Sequence, residues 1–119
     1  MKRGSAGVII IASMMLTTLT STAYAHALLV HATPAPDAVL DRGGVHVVLE
    51  FNARIDSARS VLLLCGPSGT TRVPIVAQSL PNGLEGKWKA VLPGAYVLRW
   101  QVLATDGHIT RGEIPFKVR

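Results

Sequence analysis

Between residues 95 and 103 the chain changes character at every step. Tyr96, Leu98, Trp100 and Val102 share one parity, with Val97, Arg99 and Gln101 on the other. A period of two sends successive side chains to opposite faces of an extended strand, and no helix face can collect such a pattern. Residues 45–51 repeat it, with Val45, Val47, Leu49 and Phe51 facing one way and His46, Val48 and Glu50 the other. Shorter segments of the same kind occupy residues 26–32, 60–65, 71–76, 87–91 and 113–118. Between them lie turn formers: Thr33-Pro34-Ala35-Pro36, Gly66-Pro67-Ser68-Gly69, the loop QSLPNGLEG at 78–86, and Pro93-Gly94. Pro74 removes a ladder donor and demotes the fourth segment to an edge. Short strands parted by Gly/Pro turns predict an all-β fold: a seven-stranded antiparallel two-sheet sandwich, Ig-like in type, or a Greek-key barrel.

The first 25 residues do not belong to that pattern. Lys2 and Arg3 precede an apolar run at 7–16 (GVIIIASMML), which is short for a bilayer span. A polar stretch then ends in Ala23-Tyr24-Ala25, the small-residue exit of a secretory signal peptide. The expected organisation is a cleaved leader at 1–25 and one exported domain at 26–119. Contact with a membrane is expected only through the uncleaved leader. Cleavage after Ala27 is the competing site.

Loss of Lys2 and Arg3 lowers the basic count from 12 to 10 against 7 acids, a net charge of +3. The remaining cations are scattered rather than gathered in a stripe, so no nucleic-acid partner is expected. The single cysteine, Cys65, cannot staple an exported domain, so the core must hold the fold. It closes the run Val61-Leu62-Leu63-Leu64 and reads as a small buried hydrophobe at a strand end. All three methionines, Met1, Met14 and Met15, fall in the leader.

The chemistry-bearing residues sit at the two ends of the mature chain. The strand at 95–103 runs into Asp106-Gly107-His108, where a carboxylate and an imidazole two residues apart converge around a glycine. Taken alone this is equally a hairpin corner with a solvated histidine. Cleavage after Ala25 would make His26 the first residue. An N-terminal histidine offers two nitrogens, its α-amine and imidazole Nδ1, to one metal ion; the bland alternative is a solvated terminus. With His108 the set has three nitrogens, and Asp106 adds an oxygen. Nitrogen ligands with a carboxylate in a tetragonal arrangement suit Cu(II). His31, beside the proline-rich turn, and His46, on the outward parity of its strand, are weaker candidates.

The mature chain also resembles the CopC family of periplasmic copper-binding proteins along nearly its whole length. The matching residues are His26-Ala27 with Leu29-Val30 and Thr33-Pro34-Ala35, then Leu49 and Phe51, then Gly94, Tyr96 and Trp100. They finish with Asp106-Gly107-His108, Gly112 and Phe116-Lys117-Val118. The resemblance implies a cupredoxin-like β-sandwich holding one Cu(II) per chain through His26, Asp106 and His108. It also implies copper homeostasis or resistance as the role, and an inner-membrane importer of the CopD type as a partner. Some members carry a second early histidine where this chain has Leu28, and others a methionine-rich loop for Cu(I). The region 65–78 has no methionine.

The expected function is sequestration or delivery of Cu(II), without turnover. Two alternatives come from other classes. A copper-dependent oxygenase could use the same histidine chelate, though six aromatic residues, one of them in the leader, make a poor substrate platform. A metal-free β-sandwich interaction module would need no histidine cluster at all.

Overall fold

The structure, a computed structural model, describes Gly4 and residues 27–76, 78 and 80–119; His26 and the expected leader, apart from Gly4, lie outside the described residues. Eight strands follow one another: β1 (Leu29–Thr33), β2 (Ala38–Leu40), β3 (Gly43–Phe51), β4 (Ile55–Gly66), β5 (Gly69–Arg72), β6 (Gly83–Val91), β7 (Gly94–Ala104) and β8 (Ile109–Val118). They form two sheets, a three-stranded one in the order β1-β3-β6 and a five-stranded one in the order β2-β8-β7-β4-β5. The described residues contain no helix.

The all-β expectation holds, and the strand count is corrected from seven to eight. The added strand, β2, has three residues and pairs in parallel with β8, Ala38 opposite Phe116 and Leu40 opposite Val118. Three residues are too few to show a period, and the proline-rich turn before them hides their start. The parallel pair also makes the second sheet mixed rather than wholly antiparallel. Boundaries move as well, with β4 starting at Ile55 and β8 at Ile109, ahead of the expected 60 and 113. β6 begins at Gly83, inside the expected loop, because Gly83 to Lys87 are paired residue by residue with β3. β5 stops at Arg72, ahead of Pro74.

Residues 73–76 take a different role from the expected strand. The Val73 amide donates to the Leu62 carbonyl at 2.9 Å, and the Val76 amide to the Glu85 carbonyl at 2.9 Å. Leu62 is in one sheet and Glu85 in the other, so this segment stitches the two sheets along the β4/β6 edge. Gly86 permits the approach, since a Cβ there would lie 2.8 Å from a Leu62 methyl and 2.9 Å from a Val73 methyl. On the opposite edge, β1 and β2 are joined by residues 34–37, with the Asp37 amide bonded to the Pro115 carbonyl at 2.7 Å.

The core lies between the sheets and follows the alternation. Val45, Val47, Leu49 and Phe51 from β3 meet Tyr96, Leu98, Trp100 and Val102 from β7, all buried. Removing such side chains from water is the main favourable term in folding, about 1.5–3 kcal/mol for each one fully buried. Phe51 meets Trp100 edge to face at 5.2 Å. The Trp100 indole lies over Gly112, where a Cβ would fall 2.3 Å from Cζ2. The Tyr96 hydroxyl donates to the Leu92 carbonyl at 2.6 Å, so its burial strands no polar group.

Candidate metal centre

The β7–β8 hairpin pairs without interruption from Gly94 opposite Val118 to Leu103 opposite Ile109. That ladder holds its connecting turn rigidly at one end of the sandwich. The turn closes through the Gly107 amide on the Ala104 carbonyl (2.9 Å) and the Ala104 amide on the His108 carbonyl (2.8 Å). Gly107 has φ of 92°, a conformation open to glycine and costly for other residues.

Asp106 and His108 are brought together by this turn, at the hairpin corner that the Asp-Gly pair offered. The His108 amide donates to Asp106 Oδ1 at 3.0 Å, and His108 Nδ1 lies 3.1 Å from Oδ2. The backbone N–H on Oδ1, with the imidazole as a further hydrogen-bond donor, holds the Asp106 carboxyl below the usual carboxylate range. Both side chains are about two-fifths exposed, which leaves the pair accessible to an ion from solvent.

The start of the described chain is fastened beside this turn by three consecutive residues of the β3–β4 connection. The Leu28 amide donates to Asn52 Oδ1 at 2.7 Å, and the Asn52 amide returns a bond to the Leu28 carbonyl at 2.9 Å. Two residues on, the Arg54 carbonyl accepts the Thr105 amide at 3.1 Å. Residues 52–54 thus link the chain two positions after His26 to the turn one position before Asp106. Ala27, between them, is fully buried in the core cluster. The loop is itself braced from behind, by the Asn82 side-chain amide on the Phe51 carbonyl (2.9 Å) and the Ile55 amide on the Pro81 carbonyl (3.0 Å).

Asn52 is an anchoring residue that sequence reasoning missed. Its partners are 24 residues away along the chain, and an Asn after a strand reads only as a turn former. His46 faces out of the three-stranded sheet, as its parity predicted, with Nε2 2.6 Å from Glu85 Oε1. His31 stands opposite Glu50 in β1. Cys65 is half-buried rather than buried, and its sulfur accepts a contact from the Thr70 hydroxyl at 3.5 Å. Among the described residues no group of three or more His, Cys, Asp or Glu could hold a metal. Asp106 and His108 are the two members of the expected set that the described residues contain; the third, His26, lies outside them.

A two-sheet sandwich carrying an acid–imidazole pair on one end turn defines a small cupredoxin-like module. Residues 29–119 match the CopC domain, and the chain belongs to the CopC family, a family of copper-binding proteins. The crystal structure of CopC from Methylosinus trichosporium OB3b shares the fold at a TM-score of 0.66 and 28% identity, over 78% of this chain and 93% of that one. Protein YobA of Escherichia coli K12 is 27% identical over 105 residues, 85% of each chain. The copper transport protein CutJ of Bacillus subtilis is 26% identical over 113 residues, 92% of this chain but 21% of CutJ.

Proposed function

We propose that this chain is a periplasmic Cu(II)-binding protein that sequesters one copper ion or hands it to a membrane copper importer. Copper is its cargo, and no turnover is involved. The ligands are the α-amine and imidazole of His26, the imidazole of His108 and a carboxylate oxygen of Asp106. Three nitrogens and one oxygen form a borderline-to-hard set, which suits Cu(II) rather than Cu(I). The absence of methionine after Met15 points the same way.

The observation that carries this reading is the linkage through residues 52–54. It anchors Leu28 next to the turn that bears Asp106 and His108. The burial of Ala27 supports a mature start ahead of it, at His26, because cleavage after Ala27 would remove a core residue. The likeness to CutJ supports transport as the destination of the copper.

The test is a Cu(II) titration of the exported protein against a competing chelator, with intact mass fixing its first residue. One tightly held Cu(II) per chain is expected on a protein beginning at His26. A start elsewhere combined with equally tight binding removes the histidine chelate from the proposal.

A further inference from the structure

Two polar side chains that enter this core find their partners inside it. The Ser60 hydroxyl donates to the Asp56 carbonyl at 2.7 Å, and the Tyr96 hydroxyl to the Leu92 carbonyl at 2.6 Å. Two others do not. The Trp100 indole nitrogen and the Thr110 hydroxyl oxygen are both closed off from solvent, and neither has a hydrogen-bond partner among the described residues. Trp100 as a whole is 7% exposed. Native interiors leave few such groups, because burying a polar atom forfeits its bonds to water.

The two atoms belong to one small region. Trp100 stands opposite Gly112 in the β7–β8 ladder, and Val102 opposite Thr110. On β8, Ile109, Arg111 and Glu113 face outward, while Thr110, Gly112 and Ile114 face the other sheet. The indole crosses to β8 under Gly112, where a Cβ would fall 2.8 Å from Nε1. Thr110 is the next inward residue, about 6–7 Å along the strand. Phe51, Val102 and Ile114, buried around them, bring no side-chain acceptor. Thr110 is half-buried as a residue although its oxygen is covered, so solvent has a short way in.

An indole N–H can only donate, whereas a hydroxyl donates and accepts. Whatever joins them must be small, must accept from Nε1 and must exchange a further bond with Oγ1. A metal cation cannot accept from an N–H. An anion would be buried without a compensating charge, since Arg111, between Thr110 and Gly112, faces outward. Water satisfies every condition. We propose that one water molecule is held inside the sandwich, accepting from Trp100 Nε1 and hydrogen-bonded to Thr110 Oγ1. His108 precedes Thr110 by two residues, so this water lies behind the turn that carries Asp106 and His108 and ties β7 to β8 near the end of their ladder. A threonine on the inward face of β8 is then half of a polar pair rather than a break in the alternation. The inference goes beyond the copper reading and holds whether or not the metal is bound.

The experiment compares the native protein with Thr110→Val, which keeps the shape and loses the hydroxyl, and with Thr110→Ser, which keeps the hydroxyl. Trp88 and Trp100 give two indole N–H signals in nitrogen-labelled protein, and Trp88→Phe tells them apart. The native Trp100 indole proton should show a nuclear Overhauser contact with a long-lived water. Thr110→Val should lose that contact and move the indole signal upfield, while Thr110→Ser keeps both. Thermal melts read the same question through a sign. If the water bridges the pair, Thr110→Val removes one of its partners and should lower Tm by about 4–8 °C. If the hydroxyl is buried with no partner, the same substitution relieves it and raises Tm. A raised Tm in Thr110→Val, a native Trp100 indole proton with no water contact, or a Thr110→Ser variant that behaves as Thr110→Val overturns the proposal.

Discussion

Leu28 is held by Asn52 through both of its backbone groups, the amide to Oδ1 at 2.7 Å and the carbonyl to the Asn52 amide at 2.9 Å. The second bond is independent of the side chain and the first is not. Asn52→Ala should therefore cost about 1 kcal/mol and lower Tm by about 4–8 °C in a domain of this size. Cu(II) affinity should fall by roughly fivefold to tenfold, because the freed chain start must be ordered again on binding. Calorimetry and chelator competition on the same variant measure both, and unchanged copper affinity would remove Asn52 from the site.

Adding one residue before His26 should weaken Cu(II) binding far more than any change at Asn52. The extension turns the α-amine into an amide and moves the new amine out of reach of the imidazole. Extended and native proteins compared under one competing chelator give the answer, and equal affinities count against the chelate.

His108→Ala and His46→Ala separate the end turn from the sheet face. His108 is against Asp106, while His46 is paired with Glu85 on the outer face of the three-stranded sheet. Copper affinity should collapse in the first variant and hold in the second. A larger loss at His46 would move the site to that face.

Two pH dependences follow, with different ranges. The Asp106 carboxyl titrates below its ordinary value because the His108 amide favours the charged form. Its contribution to apo stability is thus complete above the unfolded value of about 3.9 and is lost as pH falls through the lower folded value. Asp106→Asn should flatten that acid limb in thermal melts, and a limb of unchanged shape would mean another group causes it. Copper binding weakens earlier, because an α-amine (about 7.7–8.0) and histidines (about 6.5) must lose protons to bind. A copper-induced rise in Tm at about pH 7 should largely vanish near about pH 4.5.

Gly112→Ala tests the packing behind the site. Its new methyl would fall 2.3 Å from Trp100 Cζ2 and 2.8 Å from Nε1, so the indole must shift in a filled core. The expected cost is about 1–3 kcal/mol, read by denaturant midpoint, with a red shift of tryptophan emission. A neutral result would show that Trp100 has room the packing does not reveal.

The inward faces of β3 and β7 were legible because alternation and burial are one signal, and every residue assigned inward on those strands is buried or nearly so. His46 was legible for the same reason. β2 was not, since three residues carry no period and its partner is some 80 positions away. The start of β6 was hidden because Gly83 and Gly86 read as loop, whereas Gly86 is there for the close packing of Leu62 and Val73. At the site, Asp106 and His108 were visible as a motif, and the glycine between them already marked the turn, but not the backbone bonds that close it. Asn52 was invisible because its function lies entirely in contacts across the fold.

The stitch at residues 73–76 gives the sandwich a spine and a fore-edge. Along one long edge, backbone hydrogen bonds run from Val73 and Val76 into opposite sheets. Along the other, β1 and the short β2 lean on each other through a single turn. Opening fluctuations belong to the unstitched side, so β1 and β2 amides should exchange with solvent well before those of Val73 and Val76. The end turn and the chain start meet at a corner of that free side, one carried by each sheet. An ion gripped from both would be a clasp on a book already bound along its back.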